Sequence, residues 1–508
     1  MEEQEKEVKK SLKEKIKIWL KDPYNLVILG VIIFAFAIRL YYFSLTKNQP
    51  LWWDEAEYFS KAKSIAIGTP AWIGPIREMI APYFWGFLYL IWPSEILARF
   101  FQVLISTTTV VFTYSIGKRL FNKKIAILAA LLMASYNIHL FFTVRLLVYI
   151  WAPLFYVLAI FFFLKRDEKN IYLYVSAAII SFGIVTYFST AFLLIFLLVF
   201  LLTIEKKEFF KKKRNYIAFL IFLLVLLPFV TYYMVKIGAP LPRFAQVSQS
   251  LSHASEGKIL PFANWFDYLS MLPRLLLSFL LYIFIFGFLL LLFKIVLGMD
   301  LIWKDKSIQL KNYYFVLLWI FMVIGIYSVI YVIGGDVVYD AFIMPAFPAI
   351  FLVCSITLFW VYDLVKKHSK SLAILIVVLL IVLSVYSQLK LGGDLIKGKL
   401  TSFDEIRDAG NYIKSVSAKD IVIYSQALPV LTYYSERKVI SFPANESEFE
   451  ENLSIVNPKY MVLTTYERSP DWTYQWAQKN LDKVNLEKTY YYNNDVNQPS
   501  TQVISFTV

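Results

Sequence analysis

The residues best suited to chemistry lie together in Trp52-Trp53-Asp54-Glu55-Ala56-Glu57-Tyr58, just past the end of a long apolar run. Three carboxylates at membrane depth are costly to strip of water and tend to be functional. A carboxylate near neutral pH is always available as a proton acceptor. The competing reading is a solvated interfacial turn ringed by an aromatic belt. Arg39, inside the preceding apolar run, tips the balance towards function. An arginine in such a helix faces protein or snorkels outward, and either way it puts positive charge below the acids. Other motifs are missing: the chain has no HExxH, GxSxG, CxxC or EF-hand spacing. His139, His253 and His368 are scattered and read as bystanders.

These side chains need a scaffold, and the composition says which kind. The 508 residues are 58% hydrophobic and 17% charged, with a mean hydropathy of +0.58. Soluble domains run at about 45–50% apolar and about 25% charged. The excess is concentrated in runs of about 18–25 residues between Tyr24 and Leu389, each long enough for a bilayer core of about 30 Å. A soluble enzyme, a disordered chain and a disulfide scaffold are excluded, the last because Cys354 stands alone. The net charge of +14 does not point to nucleic acid, because the lysines and arginines sit in short loops between apolar runs. That is the positive-inside pattern.

With the basic loops placed in the cytoplasm, spans fall near 24–45, 100–117, 125–143, 147–164, 171–187, 188–204, 216–235, 272–297, 313–333, 341–361 and 372–389. Segment 1–23 is a basic cytoplasmic segment, charged and helix-forming, and not a signal peptide. The expected membrane domain covers 24–391, with a long first external loop at 46–98. Tyr83–Trp92 is only half a span and reads as an interfacial helix, with Trp85, Tyr89 and Trp92 at headgroup depth. The odd number of spans, about eleven, puts residues 392–508 outside the cell. This tail alternates helical and strand patterns from Phe403 to Val508 and predicts a small α/β domain. The fold class is a polytopic α-helical membrane protein with an extracytoplasmic α/β domain, resident in the plasma membrane.

An arginine in the first span, followed by a W-x-D-E-A-x-Y-type motif in a long first external loop, resembles the GT-C superfamily of polyprenyl-phosphate-sugar-dependent glycosyltransferases. More narrowly, it is similar to the protein O-mannosyltransferase and lipid A aminoarabinose transferase branch. Ser94-Glu95 with Arg99 resembles that branch's entry to the second span. Gly117-Lys118-Arg119-Leu120-Phe121 resembles its first cytoplasmic loop, and Ala126 to Asn137 with Arg145 its third span and outer arginine. In the tail, Tyr424-Ser425 and Tyr433-Tyr434-Ser435 with Arg437 resemble an attached external domain. The resemblance implies a GT-C-like fold and an inverting transfer outside the membrane. A polyprenyl (dolichyl-type) phosphate sugar would be the donor, and a protein, glycan or lipid the acceptor. It makes Asp54 the base on the acceptor hydroxyl, a contribution of about 10²–10⁴ in rate, with Glu55 orienting the site.

The leaving group would be a lipid phosphate, so fixed positive charge is needed. Arg145 and Arg243 are the preferred pair, with Arg99, Arg77 and Arg274 also on the external face; Pro240 and Pro242 restrict the loop before Arg243. Glu57 and Glu78 are further acids. Relatives carry another aspartate after the outer arginine, where this chain has Ile150 and Trp151. Asp336 and Asp340 are candidate substitutes. That departure leaves donor identity open, along with a possible divalent metal. It also keeps alive a catalytically inactive GT-C-like protein. A polyprenyl-linked lipid flippase is the alternative from another class, but its internal repeats and mid-membrane charges are not evident here.

Overall fold

The computed structural model describes residues 11–74, 77–242, 262–304, 306–334 and 338–507. Arg243 and Asp336 therefore lie outside the described residues. Among the described residues, eight helices are long and apolar enough to cross a bilayer: Pro23–Thr46, Glu95–Leu120, Phe188–Lys211, Lys213–Ile237, Leu272–Leu297, Ile308–Ile333, Met344–Lys366 and Lys370–Lys397. Lys123–Ser135 and Asn137–Thr143, bent by 56°, make a ninth. Val148–Leu164 and Asn170–Thr186 are shorter apolar helices. Each of the eleven spans read from hydropathy thus coincides with an apolar helix, and the chain is a multi-pass membrane protein.

Two compact units emerge. One comprises Met1–Tyr42, Gln102–Thr143 and Val148–Leu395; the other comprises Phe43–Phe101, Val144–Leu147 and Ile396–Val508. This grouping differs from the boundary expected at 391/392. The loop 46–98 goes with the tail, not with the spans, because its own helix packs on the tail, as described below.

In the helical unit, Arg39 is fully buried and faces protein. Its Nε donates to Ser106 Oγ at 2.6 Å, and Nη1 donates to the carbonyls of Ala35 (2.9 Å) and Ala134 (3.0 Å). Nη2 lies 3.1 Å from His139 Nδ1. None of these partners is a carboxylate. Tyr136 breaks the third span with extended backbone (φ −60°, ψ 118°), which leaves carbonyls of the last turn without intrahelical partners. The guanidinium satisfies one of them at the negative end of that helix. His139 belongs to this network and is no bystander. Arg39→Leu should cost about 1–3 kcal/mol by orphaning buried acceptors, read as a lower melting temperature in detergent micelles.

The helix Leu272–Leu297 is also broken, at Leu277 (φ 60°, ψ 167°). Gln388 Nε2 donates to the freed carbonyls of Leu275 and Leu276 at 3.0 and 3.1 Å, and Asn137 Nδ2 donates to Leu275 at 3.2 Å. Irregular backbone at membrane depth is tolerated only where such partners exist. An apolar cleft of about 800 Å³ opens along this helix and Ile308–Gly334, lined by Trp265, Leu272, Phe284, Phe288, Phe321 and Val329 among others.

Among the described residues, six α-helices lie wholly within the mixed unit, in chain order. They are α1 (Trp53–Ile67), α2 (Ile80–Ile91), α3 (Asp404–Val416), α4 (Leu428–Ser435), α5 (Glu446–Val456) and α6 (Asp471–Lys479). Its strands are β1 (Val422–Ser425), β2 (Lys438–Ile440), β3 (Tyr460–Thr464), β4 (Val484–Tyr491) and β5 (Pro499–Phe506). The sheet order is β2-β1-β3-β5-β4, parallel from β2 to β3 and antiparallel thereafter. This is the α/β tail expected from the alternating pattern. Phe449, Met461 and Trp476 are fully buried in its core beside Tyr424 and Phe442, and each such apolar side chain contributes about 1.5–3 kcal/mol.

The short apolar segment forms α2, which packs on α1. A Cβ on Gly86 would lie 2.9 Å from the Ala62 carbonyl oxygen, so only glycine permits this approach. Trp85 and Tyr89 are buried against α1, where Trp85 meets Tyr58 and Phe59, and Tyr89 meets Phe59. Tyr83, Phe87, Leu90 and Trp92 form the exposed apolar face.

Candidate active site

The acid motif is the first turn of a helix, not an interfacial turn. Leu51 and Trp52 precede α1, and Glu55 at the third helical position reaches back to accept the Trp52 N–H at 3.0 Å, half of a capping box. No proline or glycine interrupts the helix until Gly68, whose left-handed φ of 72° ends it. Successive helical residues point about 100° apart, and residues three or four apart share a face. Asp54, Glu57 and Tyr58 therefore look one way, and Glu55, Phe59, Ala62 and Lys63 another. The motif splits into two sets of acids with separate partners.

On the first face, Arg77 stands between two carboxylates. Its Nη2 is 2.6 Å from Asp54 Oδ1 and 2.6 Å from Glu57 Oε2, and its Nε donates to Glu57 Oε2 at 2.8 Å. Glu57 also accepts the Gly74 N–H at 2.6 Å. Tyr58 lies under the guanidinium and donates its hydroxyl to Glu78 at 3.3 Å. Glu57 and Glu78 are buried, whereas the Asp54 side chain remains 38% exposed. Burial disfavours the charge on Arg77, but Tyr58, Glu57 and Asp54 outweigh it and hold the guanidinium above its ordinary value. One carboxylate is thus open to solvent, oriented by a cation that a second, buried carboxylate anchors.

On the second face, Glu55 is wholly buried and faces two arginines. Arg99 Nη1 is 3.7 Å from one carboxylate oxygen and Arg145 Nη1 is 3.6 Å from the other. The Leu146 N–H donates to Glu55 Oε1 at 2.7 Å. Arg99 also donates to the carbonyls of Val144 (2.7 Å) and Gln49 (2.9 Å), and Arg145 stacks 3.4 Å from the Trp52 ring centre. Both arginine side chains are 1% exposed. The sequence expectation set them at a phosphate; their seats instead turn them inward to a buried acid. Spacing alone cannot tell which way an arginine at a span mouth points.

Asp340 lies in the other unit, where it pairs with Arg274. Burial pushes its carboxyl above the ordinary value against the pull of Arg274. Among the described residues, no three or more His, Cys, Asp or Glu side chains gather as metal ligands do. Arg77 takes the place between Asp54 and Glu57 that a bridging ion needs, so this pair fits a guanidinium, not a divalent metal.

Sequence reasoning missed the tail's contribution. The Tyr434 hydroxyl accepts the Leu51 N–H at 2.8 Å, and Tyr433 donates to Glu95 at 2.7 Å. Lys63 Nζ is 2.6 Å from Glu436 Oε1, which Lys414 also meets at 2.7 Å. Burial raises the Glu436 carboxyl, yet Lys414 and Lys63 more than offset this and hold it below its ordinary 4.5. A depressed carboxyl stabilises the fold above its unfolded pKa and loses that contribution as pH falls through the folded value. Wild type should therefore weaken below about pH 4.5. Glu436→Gln should lack this increment, which acid unfolding followed by tryptophan fluorescence would read.

Residues 79–232 match the family model for dolichyl-phosphate-mannose-protein mannosyltransferase. No curated protein matches the sequence. Among solved structures, the chain is similar to ArnT from Cupriavidus metallidurans bound to undecaprenyl phosphate. The TM-score is 0.62 at 11% identity, over 93% of this chain and 98% of that one. It is also similar to the Archaeoglobus fulgidus oligosaccharyltransferase tethered with an acceptor peptide, with TM-score 0.59, 13% identity, 86% of this chain and 69% of that one. At these identities the likeness is one of fold. The chain therefore shares the fold of ArnT and of the oligosaccharyltransferase, and its segment 79–232 resembles the dolichyl-phosphate-mannose-protein mannosyltransferase family.

Proposed function

We propose that the chain is an integral-membrane glycosyltransferase. It moves a hexose or pentose, with inversion, from a polyprenyl (dolichyl-type) phosphate to an acceptor on the non-cytoplasmic face. The observation that carries this reading is Asp54, an open carboxylate held 2.6 Å from Arg77 at the start of α1. The acceptor oxygen attacks the anomeric carbon and passes its proton to Asp54. The bond from that carbon to the phosphate oxygen breaks, and polyprenyl phosphate leaves. A preorganised cation near the developing charge lowers the barrier, and Arg77 is the arginine paired with the base. Arg243 is a second candidate for the phosphate on its sequence position. Arg99 and Arg145 act through Glu55.

Support comes from three directions. The family match is to mannosyltransferases that use dolichyl phosphate mannose. One structural neighbour holds undecaprenyl phosphate and another an acceptor peptide. The apolar cleft of about 800 Å³ in the helical unit has the lining an isoprenoid chain requires. A protein, glycan or lipid acceptor fits the reading equally. Mass spectrometry of surface glycans after deletion of the gene tests it: one sugar should disappear from one class of acceptor. An unchanged glycan profile would overturn the assignment.

A further inference from the structure

The tail has no phosphate-binding loop, yet it touches the helix that bears Asp54. Three contacts, spaced along α1, run to one turn of the tail. Before the helix, the Leu51 N–H donates to Tyr434. One turn past Glu55, Phe59 meets the Tyr433 ring edge-on, with centroids 5.8 Å apart. A turn further, Lys63 bonds Glu436 at 2.6 Å and sits 4.6 Å from the Tyr433 ring centre. Glu55, Phe59 and Lys63 follow an i, i+4, i+8 series, so one face of α1 carries both the tail contacts and the buried acid.

The gripping turn is itself rigidly built. Glu436 closes α4 in the left-handed region (φ 53°), a conformation that a non-glycine side chain adopts only when its surroundings impose it. Two lysines meet its carboxylate, Lys414 from α3 and Lys63 from α1. A Cβ on Gly410 of α3 would lie 2.7 Å from Tyr434 Cβ, so α3 backs the tyrosine closely. Arg437 follows and donates to the carbonyls of Ser435, Lys414 and Ser417 at 3.1, 3.1 and 2.7 Å.

We propose that the C-terminal domain is a positioning element of the transfer site, its Tyr433-Tyr434-Ser435-Glu436 turn setting the roll of α1 about its own axis. This rests on the transferase reading above. Side-chain tips stand about 5–6 Å from a helix axis, so a roll of about 10° moves the Asp54 carboxylate by about 1 Å. A misplacement of about 1 Å can cost about 10²-fold in rate. The acid face and the tail-facing face belong to one rigid rod, so a loosened grip at Lys63 is felt at Asp54. Residues 433–436 are positioning residues; none touches the reacting atoms.

The test uses the full chain in liposomes with a dolichyl-phosphate-[¹⁴C]mannose probe, together with hydrogen–deuterium exchange of peptides covering residues 51–60. Lys63→Met combined with Tyr434→Phe removes the ion pair and the hydroxyl. We expect kcat to fall by about 10- to 100-fold with the donor KM within about threefold. Exchange at 51–60 should quicken while peptides of the helical unit keep their protection. Lys63→Arg keeps a cation at Glu436 and should hold both readouts near wild type. Unchanged exchange in the double variant, kcat within twofold of wild type, or a loss confined to KM would each overturn the proposal. A wild-type chain that leaves the probe intact counts against mannose as the transferred sugar, and the exchange experiment then still decides whether the tail grips α1.

Discussion

Asp54→Asn should lower sugar transfer by about 10²-fold or more while leaving the fold and donor affinity nearly unchanged. The size follows from general-base catalysis, whose loss typically removes about 10²–10⁴. Its selectivity follows from geometry. Asparagine has the same shape and can still accept from Arg77, so the guanidinium keeps its place. Glu57 continues to anchor Arg77 through two contacts and the Gly74 N–H. The Asp54 side chain is 38% exposed, and ion pairs on such groups contribute only about 0–1 kcal/mol. Steady-state kinetics beside a thermal melt would separate the two effects. Wild-type kcat in this variant would remove Asp54 as the base.

Its neighbour should behave in the opposite way. Glu55→Ala deletes the carboxylate that faces both Arg99 and Arg145 and that accepts the Trp52 and Leu146 N–H groups. Removing one partner of a buried ion pair costs about 3–5 kcal/mol, because the remaining charge is left in a low-dielectric site. Here two guanidinium groups are left facing each other across the gap. Natural proteins have about 5–15 kcal/mol in total, so Glu55→Ala should yield little folded protein. Glu55→Gln keeps an acceptor and should fold with a lowered melting temperature. The measurement is fluorescence-detected size exclusion and thermal shift in detergent. An unshifted melt for Glu55→Ala would mean that the arginines draw no net stability from Glu55. Adjacent residues on one helix, one lost in turnover and the other in stability, would be a signature that neither a solvated turn nor a shared catalytic dyad produces.

The spans were legible because about twenty apolar residues between basic loops leave a bilayer helix few alternatives. The tail was legible from its alternating periods, and Asp54 stood out as a candidate because three acids lie beside a membrane span. What escaped was direction. Hydropathy cannot show that Tyr136 and Leu277 break their helices, since neither break is marked by a glycine or proline at the site; each is held by distant donors such as Arg39 and Gln388. Arg99 and Arg145 looked like phosphate ligands because an arginine at a span mouth has the same spacing whether it turns outward or inward. The length of α1 was hidden by its charges, although Glu55 at the third position and Gly68 beyond the end are the signals that mark it. Tyr433, Tyr434 and Glu436 were visible only as a resemblance, because their partners lie more than 300 residues earlier in the chain.

The central claim is that Asp54 takes the proton of an acceptor as a sugar leaves its lipid phosphate. The most direct measurement follows both products at once. Purified wild type and Asp54→Asn are incubated in liposomes with a labelled polyprenyl-phosphate sugar and membrane-extracted acceptors, and the lipid and acceptor fractions are separated by chromatography. Wild type should release polyprenyl phosphate mole for mole with labelled acceptor of inverted anomeric configuration, and Asp54→Asn should release about a hundredth as much or less. Equal release by both proteins, or a donor lipid that crosses the bilayer with its sugar still attached, would contradict it.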